Sequence, residues 1–223
     1  METQQNPNST QPVQPALTKP EKSSSATNPR PNSKPAEVRE CFKMVFVGKP
    51  GTGKTTVLRR LVRRALEQHR RVLIVTPHDN EWTDIPDVHP AYPGRIATYK
   101  GARRYLCREP EEVHQVCRLF RHGFLVFDDC RVYVPDRQDP EIRTMLLSCR
   151  QNDVDFAAVG HGFTTVPPLF FTYATHFAVF ATTDNVGRRK NCVLNFPALE
   201  ATVRRVNNAA LQKPHYYEIV KNE

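Results

Sequence analysis

The sequence predicts an α/β domain with a mainly parallel central sheet flanked by helices, and three observations predict it. Short runs of β-branched and aromatic residues recur at 44–47, 71–76, 124–127, 155–160 and 177–181, each too brief for a helix. Between them apolar residues fall at helical spacing, so strands and helices alternate. The first strand passes into the first helix through a glycine-rich loop.

That junction is the most informative stretch. The apolar run Met44-Val45-Phe46-Val47 stops at Gly48. Residues Gly48, Lys49, Pro50, Gly51, Thr52, Gly53, Lys54 and Thr55 fit G-x-x-x-x-G-K-[ST], and Thr56 follows. Glycines let the backbone turn sharply and bring its N–H groups onto phosphate oxygens. The positive end of the next helix adds to that anion site. In such a loop Lys54 reaches the β- and γ-phosphates and the Thr55 hydroxyl holds Mg²⁺. A glycine turn before an ordinary helix would need neither the strand in front nor the Lys54-Thr55 pair behind. The chain is expected to bind a nucleoside triphosphate, ATP, with Mg²⁺.

Bulk properties bound the reading. The 223 residues allow one domain of ordinary size plus tails. A net charge of +9 fits an anionic partner, nucleic acid first. The six cysteines (Cys41, Cys107, Cys117, Cys130, Cys149, Cys192) include no C-x-x-C pair and read as reduced thiols. No basic-then-apolar leader opens the sequence. The longest apolar stretch, 166–180, is broken by Pro167, Pro168, Thr172, Thr175 and His176. A soluble, intracellular protein without a membrane span is expected. Residues 1–40, mostly Gln, Asn, Pro, Ser and Thr, cannot bury enough surface to offset their ordering entropy and read as a disordered tail. Residues 41–200 read as the ATPase domain and 201–223 as a C-terminal extension.

Taken in order, the helix after the loop sets Arg59, Arg60, Arg63 and Arg64 largely opposite Leu58, Leu61, Val62 and Leu66, as a solvated face or a DNA contact. The strand at 71–76, ended by Pro77, completes a right-handed strand–helix–strand unit. Residues 77–82 leave the carboxyl end of that strand, where open α/β sheets place ligands. Trp82 there either stacks on a base or caps the core, and His78 and Asp79 lack a spacing partner for a metal site. Turn-forming prolines, Pro86 and Pro90 among them, precede an expected short strand at 95–99. Glu109-Pro110-Glu111-Glu112 opens a helix that buries Val113, Val116, Cys117 and Phe120.

Phe124-Leu125-Val126-Phe127 then runs into Asp128 and Asp129. After a phosphate loop, this pattern makes Asp128 the group that holds Mg²⁺ through its water shell and Asp129 the base that orients and deprotonates the attacking water. Asp139-Pro140 opens a helix that turns Ile142, Met145, Leu146 and Cys149 inward and ends at Arg150. The strand at 155–160 carries His161 at its tip, either structural or a sensor of the γ-phosphate. A turn at 166–171, a last strand at 175–181 and the basic cluster Arg188-Arg189-Lys190 follow.

This order of motifs over residues 41–185 resembles the FtsK–HerA superfamily of phosphate-loop ATPases, a RecA-like fold, and within it the small viral genome-packaging ATPases. In that superfamily a helix ends in an arginine, and the next strand ends eleven residues later in a polar sensor before a proline-containing loop. Arg150, His161 and Val166-Pro167-Pro168 match that spacing. The resemblance implies Lys54 and Thr55 on phosphate and Mg²⁺, Asp128 on the metal and Asp129 as the catalytic carboxylate. It also implies His161 as sensor and Arg150, with Arg143 as rival, as an arginine finger acting on a neighbouring subunit. Such a finger requires an oligomer, so a hexameric ring is implied. The usual residues are Glu where Asp129 stands and Gln where His161 stands.

The function expected from the resemblance is an ATP-driven motor that moves double-stranded DNA without regard to sequence, packaging a viral genome with a capsid or portal protein as partner. It would act in the host cytoplasm or on the virion. Arg103, Arg104, Arg188, Arg189 and Lys190 are the candidate DNA-facing groups. Three other readings stand beside it: a zonula-occludens-toxin-like phage assembly ATPase, which usually carries a membrane span; a nucleotide kinase; and an ATP-dependent switch.

Overall fold

The computed structural model describes residues 40–89, 91–135 and 139–223, so the expected tail lies outside it except for Glu40, and the turn at Pro90 lies outside it as well. In chain order the elements are β1 (Lys43–Val47), α1 (Lys54–Glu67), β2 (Arg71–Thr76), β3 (Ala102–Leu106), α2 (Pro110–Leu119), β4 (Gly123–Phe127), α3 (Pro140–Leu147), β5 (Val154–Gly160), α4 (Pro168–Tyr173), β6 (His176–Phe180), α5 (Phe196–Ala210) and β7 (Tyr217–Lys221). The strands form one sheet in the order β3-β2-β4-β5-β1-β6-β7, parallel throughout except for the β6–β7 pair. The expected α/β fold is the one the chain adopts.

The central strands are almost continuously apolar because both faces of the sheet are covered. On one face Val57, Leu58, Val62 and Ala65 of α1 pack with Trp82 against Met44, Phe46, Ile74 and Val126. On the other, residues of α2 to α5 such as Val113, Leu146, Phe170 and Leu199 cover Val45, Val47, Phe127 and Phe156. Phe170 sits with its ring 5.1 Å from that of Phe127 and 5.8 Å from that of Phe156. At the foot of the sheet the Arg70 guanidinium donates to the Asp155 carboxylate and to the carbonyls of Gly123 and Asp153, which ties β4 to β5.

Two expectations are corrected. The strand expected at 95–99 is a 3₁₀ turn, Pro93–Ala97, opened by Pro93-Gly94, and the strand forms later as β3. The Arg103-Arg104 pair disguises β3 as a surface loop. Arg104 is in fact 8% exposed. Its guanidinium donates to the Asp87 carboxylate and to the carbonyls of Asp79 and Glu81. The stretch 201–223 is an integral part of the sheet domain rather than an extension. α5 buries Leu199, Thr202, Val203 and Val206, and β7 pairs along β6 with Tyr217 opposite Phe180. As an edge strand that mixes Glu218 and Lys221 with its apolar residues, β7 carries little of the pattern of a buried strand.

Candidate active site

Strand order decides which residues meet. β5 lies between β1 and β4, so the chain leaves these neighbouring strands at Gly48, His161 and Asp128, all at the carboxyl edge of the sheet. This edge is where the strand order reverses direction and open α/β sheets bind ligands. A cleft of about 570 Å³ opens there, lined by the loop, by Thr55 and Thr56, by Asp128 and Asp129, and by His78, Glu81 and His161.

The loop is shaped by close approach. A Cβ on Gly48 would stand 2.4 Å from the Phe180 Cβ, and Gly53 holds a φ of +94°, in the left-handed region. Gly53 caps α1 with no side-chain hydrogen bond, and the first turn of α1 contains no acid. By contrast Asp139 and Asn195 cap α3 and α5 with their side chains. The first N–H groups of α1 and the positive end of its dipole are therefore left to an anion. Lys54 is 7% exposed, and its ammonium donates to the carbonyls of Gly48 and Lys49. Burial lowers its pKa from the ordinary 10.5 to about 8, against the opposing pull of Asp128, Asp129 and Glu81. A triphosphate brought onto this ammonium would favour the charged form and raise that pKa again.

Asp128 is buried, and the Trp82 indole donates to its Oδ2 at 2.7 Å. Trp82 is therefore part of the core and a support for Asp128, not a base-stacking surface. Burial raises the Asp128 carboxyl to about 6; the Trp82 hydrogen bond works against that rise, and the nearby Glu81 and Asp129 add to it. A crowded carboxylate and the Thr55 hydroxyl, lining the same cleft, are oxygen donors of the kind that suits Mg²⁺, which takes one or two protein oxygens and shares the rest of its shell with phosphate and water.

Asp129 stands in the left-handed conformation (φ 46°, ψ 50°) at the start of a 3₁₀ turn, Cys130–Val132. Aspartate tolerates that conformation better than most residues. Its Oδ2 lies 3.0 Å from His78 Nε2 and 3.9 Å from His161 Nε2. The sequence offers His78 only as a metal ligand without a spacing partner and not as a companion of Asp129. His78 meets Asp129 because β2 and β4 are neighbours, and the available signal was its place directly after an apolar strand. His78→Ala is expected to lower turnover about tenfold with nucleotide affinity kept, and His78→Gln, which retains a donor, to recover most of it. Steady-state phosphate release on the two variants checks this: equal losses in both would deny the donor role, and no loss in either would remove His78 from the site.

The other predicted residues separate. Arg150 is exposed and precedes β5, whose seven residues put it roughly 20 Å from the phosphate-loop edge. Arg143 is exposed on α3. Of the candidate DNA-facing groups, Arg188 and Lys190 are exposed, whereas Arg104 and Arg189 are not. The Arg189 guanidinium donates to the carbonyls of Phe163 and Val166 and lies over the Phe171 ring, so it braces the segment that follows His161. His215 and Tyr217, from the part read as an extension, also line the cleft.

No curated protein sequence matches the chain. Its fold is similar to that of the genome packaging NTPase B204 from Sulfolobus turreted icosahedral virus 2 in complex with AMPPCP, with a TM-score of 0.62 and 13% identity over 82% of this chain and 93% of that one. B204, the DNA-packaging ATPase from Sulfolobus turreted icosahedral virus, is similar at a TM-score of 0.60 and 14% identity over 81% and 92%. At such identity the likeness is one of fold. The model of the Poxvirus A32 protein family matches residues 34–220, nearly the whole sequence, and the chain belongs to that family.

Proposed function

We propose that this protein is an ATP-hydrolysing motor that moves double-stranded DNA and packages a viral genome into a capsid. The observation that carries the reading is the meeting of Lys54, Asp128 and Asp129 in one cleft at the carboxyl edge of a parallel sheet. Family membership and the fold it shares with B204, a genome packaging NTPase solved with ATP analogues, support it.

Residues 48–56 cradle the triphosphate with backbone N–H groups, and the Lys54 ammonium leaves its loop carbonyls for the β- and γ-phosphates. Thr55 and Asp128 would hold Mg²⁺, which when bound would supply neutralising charge beside the phosphates. Asp129 takes the proton of the attacking water on its carboxylate, and His161 contacts the γ-phosphate end. Arg150 is too far from its own chain's loop to touch that nucleotide, so it serves the neighbouring subunit of a ring, a hexamer in this reading. Arg188 and Lys190 supply exposed charge for the DNA backbone, whose contacts are blind to sequence and weaken with salt. Among the described residues no helix is long and apolar enough to cross a membrane.

Phosphate release by the purified protein is expected to rise with linear duplex DNA and to lose that stimulation as salt is raised; turnover indifferent to DNA would overturn the motor. Arg150→Ala is expected to keep ATP affinity and lose turnover by about 10³-fold. Normal turnover in that variant, with a loss in Arg143→Ala, would move the finger to Arg143.

A further inference from the structure

We propose that His215 and Tyr217, with Arg60 in the same cleft, form the shelf on which the base of the bound nucleotide stacks. The inference rests on the nucleotide-binding reading above and names the part of the site that receives the purine.

The γ-phosphate end is set by Asp128, Asp129 and His161 at the tips of β4 and β5, on one side of the loop strand β1. On its other side β1 borders β6 and then β7. Because β7 runs antiparallel, its first residues stand at the same edge as the loop, with Tyr217 opposite Phe180. The cleft continues to this side, where Thr56, Val57 and Arg60 of α1 line it together with His215 and Tyr217.

This side is aromatic and braced. The Tyr217 ring is stacked on Phe180 at 5.0 Å and 16°, and Phe180 on Phe46 at 6.2 Å and 23°, so a tier of rings begins on the loop strand itself. The His215 ring lies against the cradle: a Cβ built on Gly53 would stand 3.6 Å from its Nδ1. On α1, Arg59 is taken up by Asp84 and by the face of Trp82, whereas Arg60 lines the cleft. Ring faces and a guanidinium plane are the surfaces on which bases stack, and a pre-braced ring loses little freedom when it is covered.

The test compares two ligands that share the phosphates and differ in the base. Dissociation constants for Mg²⁺·ATP and for Mg²⁺ with inorganic triphosphate are measured by calorimetry on the full chain and on His215→Ala, Arg60→Ala and His215→Phe. His215 and Arg60 are both exposed, so substitution spares the core. The expected result is a weakening of ATP by about fivefold or more in each alanine variant, with triphosphate unchanged, and ATP affinity kept in His215→Phe. Equal weakening of both ligands, or no weakening of ATP, overturns the shelf. A wild-type protein that binds triphosphate as tightly as ATP also overturns it while leaving the phosphate site standing. A wild-type protein that binds neither removes the nucleotide reading itself, and the shelf with it.

Discussion

Asp129→Asn protein is expected to bind Mg²⁺·ATP at least as tightly as wild type and to release phosphate about 10²- to 10⁴-fold more slowly. The substitution is isosteric, and asparagine accepts the left-handed backbone that Asp129 adopts at φ 46°. The turn that aims the side chain is therefore kept. The amide cannot take the proton of the attacking water that the proposed mechanism gives to Asp129, while Lys54, Thr55 and Asp128, proposed to hold the triphosphate and its metal, are left unchanged. Removing one negative charge from the cleft also lowers repulsion toward a polyanion, so affinity does not fall. Single-turnover phosphate release together with equilibrium binding of a non-hydrolysable analogue separates the two quantities. Turnover within threefold of wild type would take the role of base away from Asp129.

What the sequence made legible was local. An apolar strand, three glycines and Lys54-Thr55 declare a phosphate loop because backbone sterics and anion chemistry allow few other residues there. The buried strands announced themselves by continuous apolar runs, and α2 and α3 by their proline starts and inward residues. What stayed hidden depends on strand order and on partners far along the chain. His78 is 51 residues from Asp129 and meets it through the β2–β4 pairing. Arg104 and Arg189 look like surface charge until the carbonyls of Asp79, Glu81, Phe163 and Val166 are found around them. β7 is legible as part of the site only once its antiparallel pairing turns its first residues toward the loop. Even Trp82, whose two readings were left open, is decided by a single indole bond to Asp128.

Lys54→Met protein is expected to lose turnover by about 10²-fold or more and yet to be more stable than wild type at neutral pH without nucleotide. The first half follows from removing the cation proposed to face the transferred phosphate. The second follows from the cost of keeping that cation buried. The folded protein holds the Lys54 proton with a pKa of about 8, whereas the unfolded chain holds it near 10.5. Between these values the unfolded state binds more protons, so stability rises with pH across that window. Below it, wild type carries a penalty of up to roughly 3 kcal/mol, which methionine, filling a similar volume without charge, does not. Denaturant unfolding of the nucleotide-free proteins at pH 7 and pH 9.5 reads the difference directly: wild type gains stability between the two and Lys54→Met does not share that gain. With the variant folded and more stable, its lost turnover belongs to the missing ammonium and not to a damaged loop. Were the variant less stable at pH 7, the hydrogen bonds from Lys54 to the carbonyls of Gly48 and Lys49 would outweigh the burial penalty. Lys54 would then be a structural clasp of the empty loop as well as a ligand for phosphate.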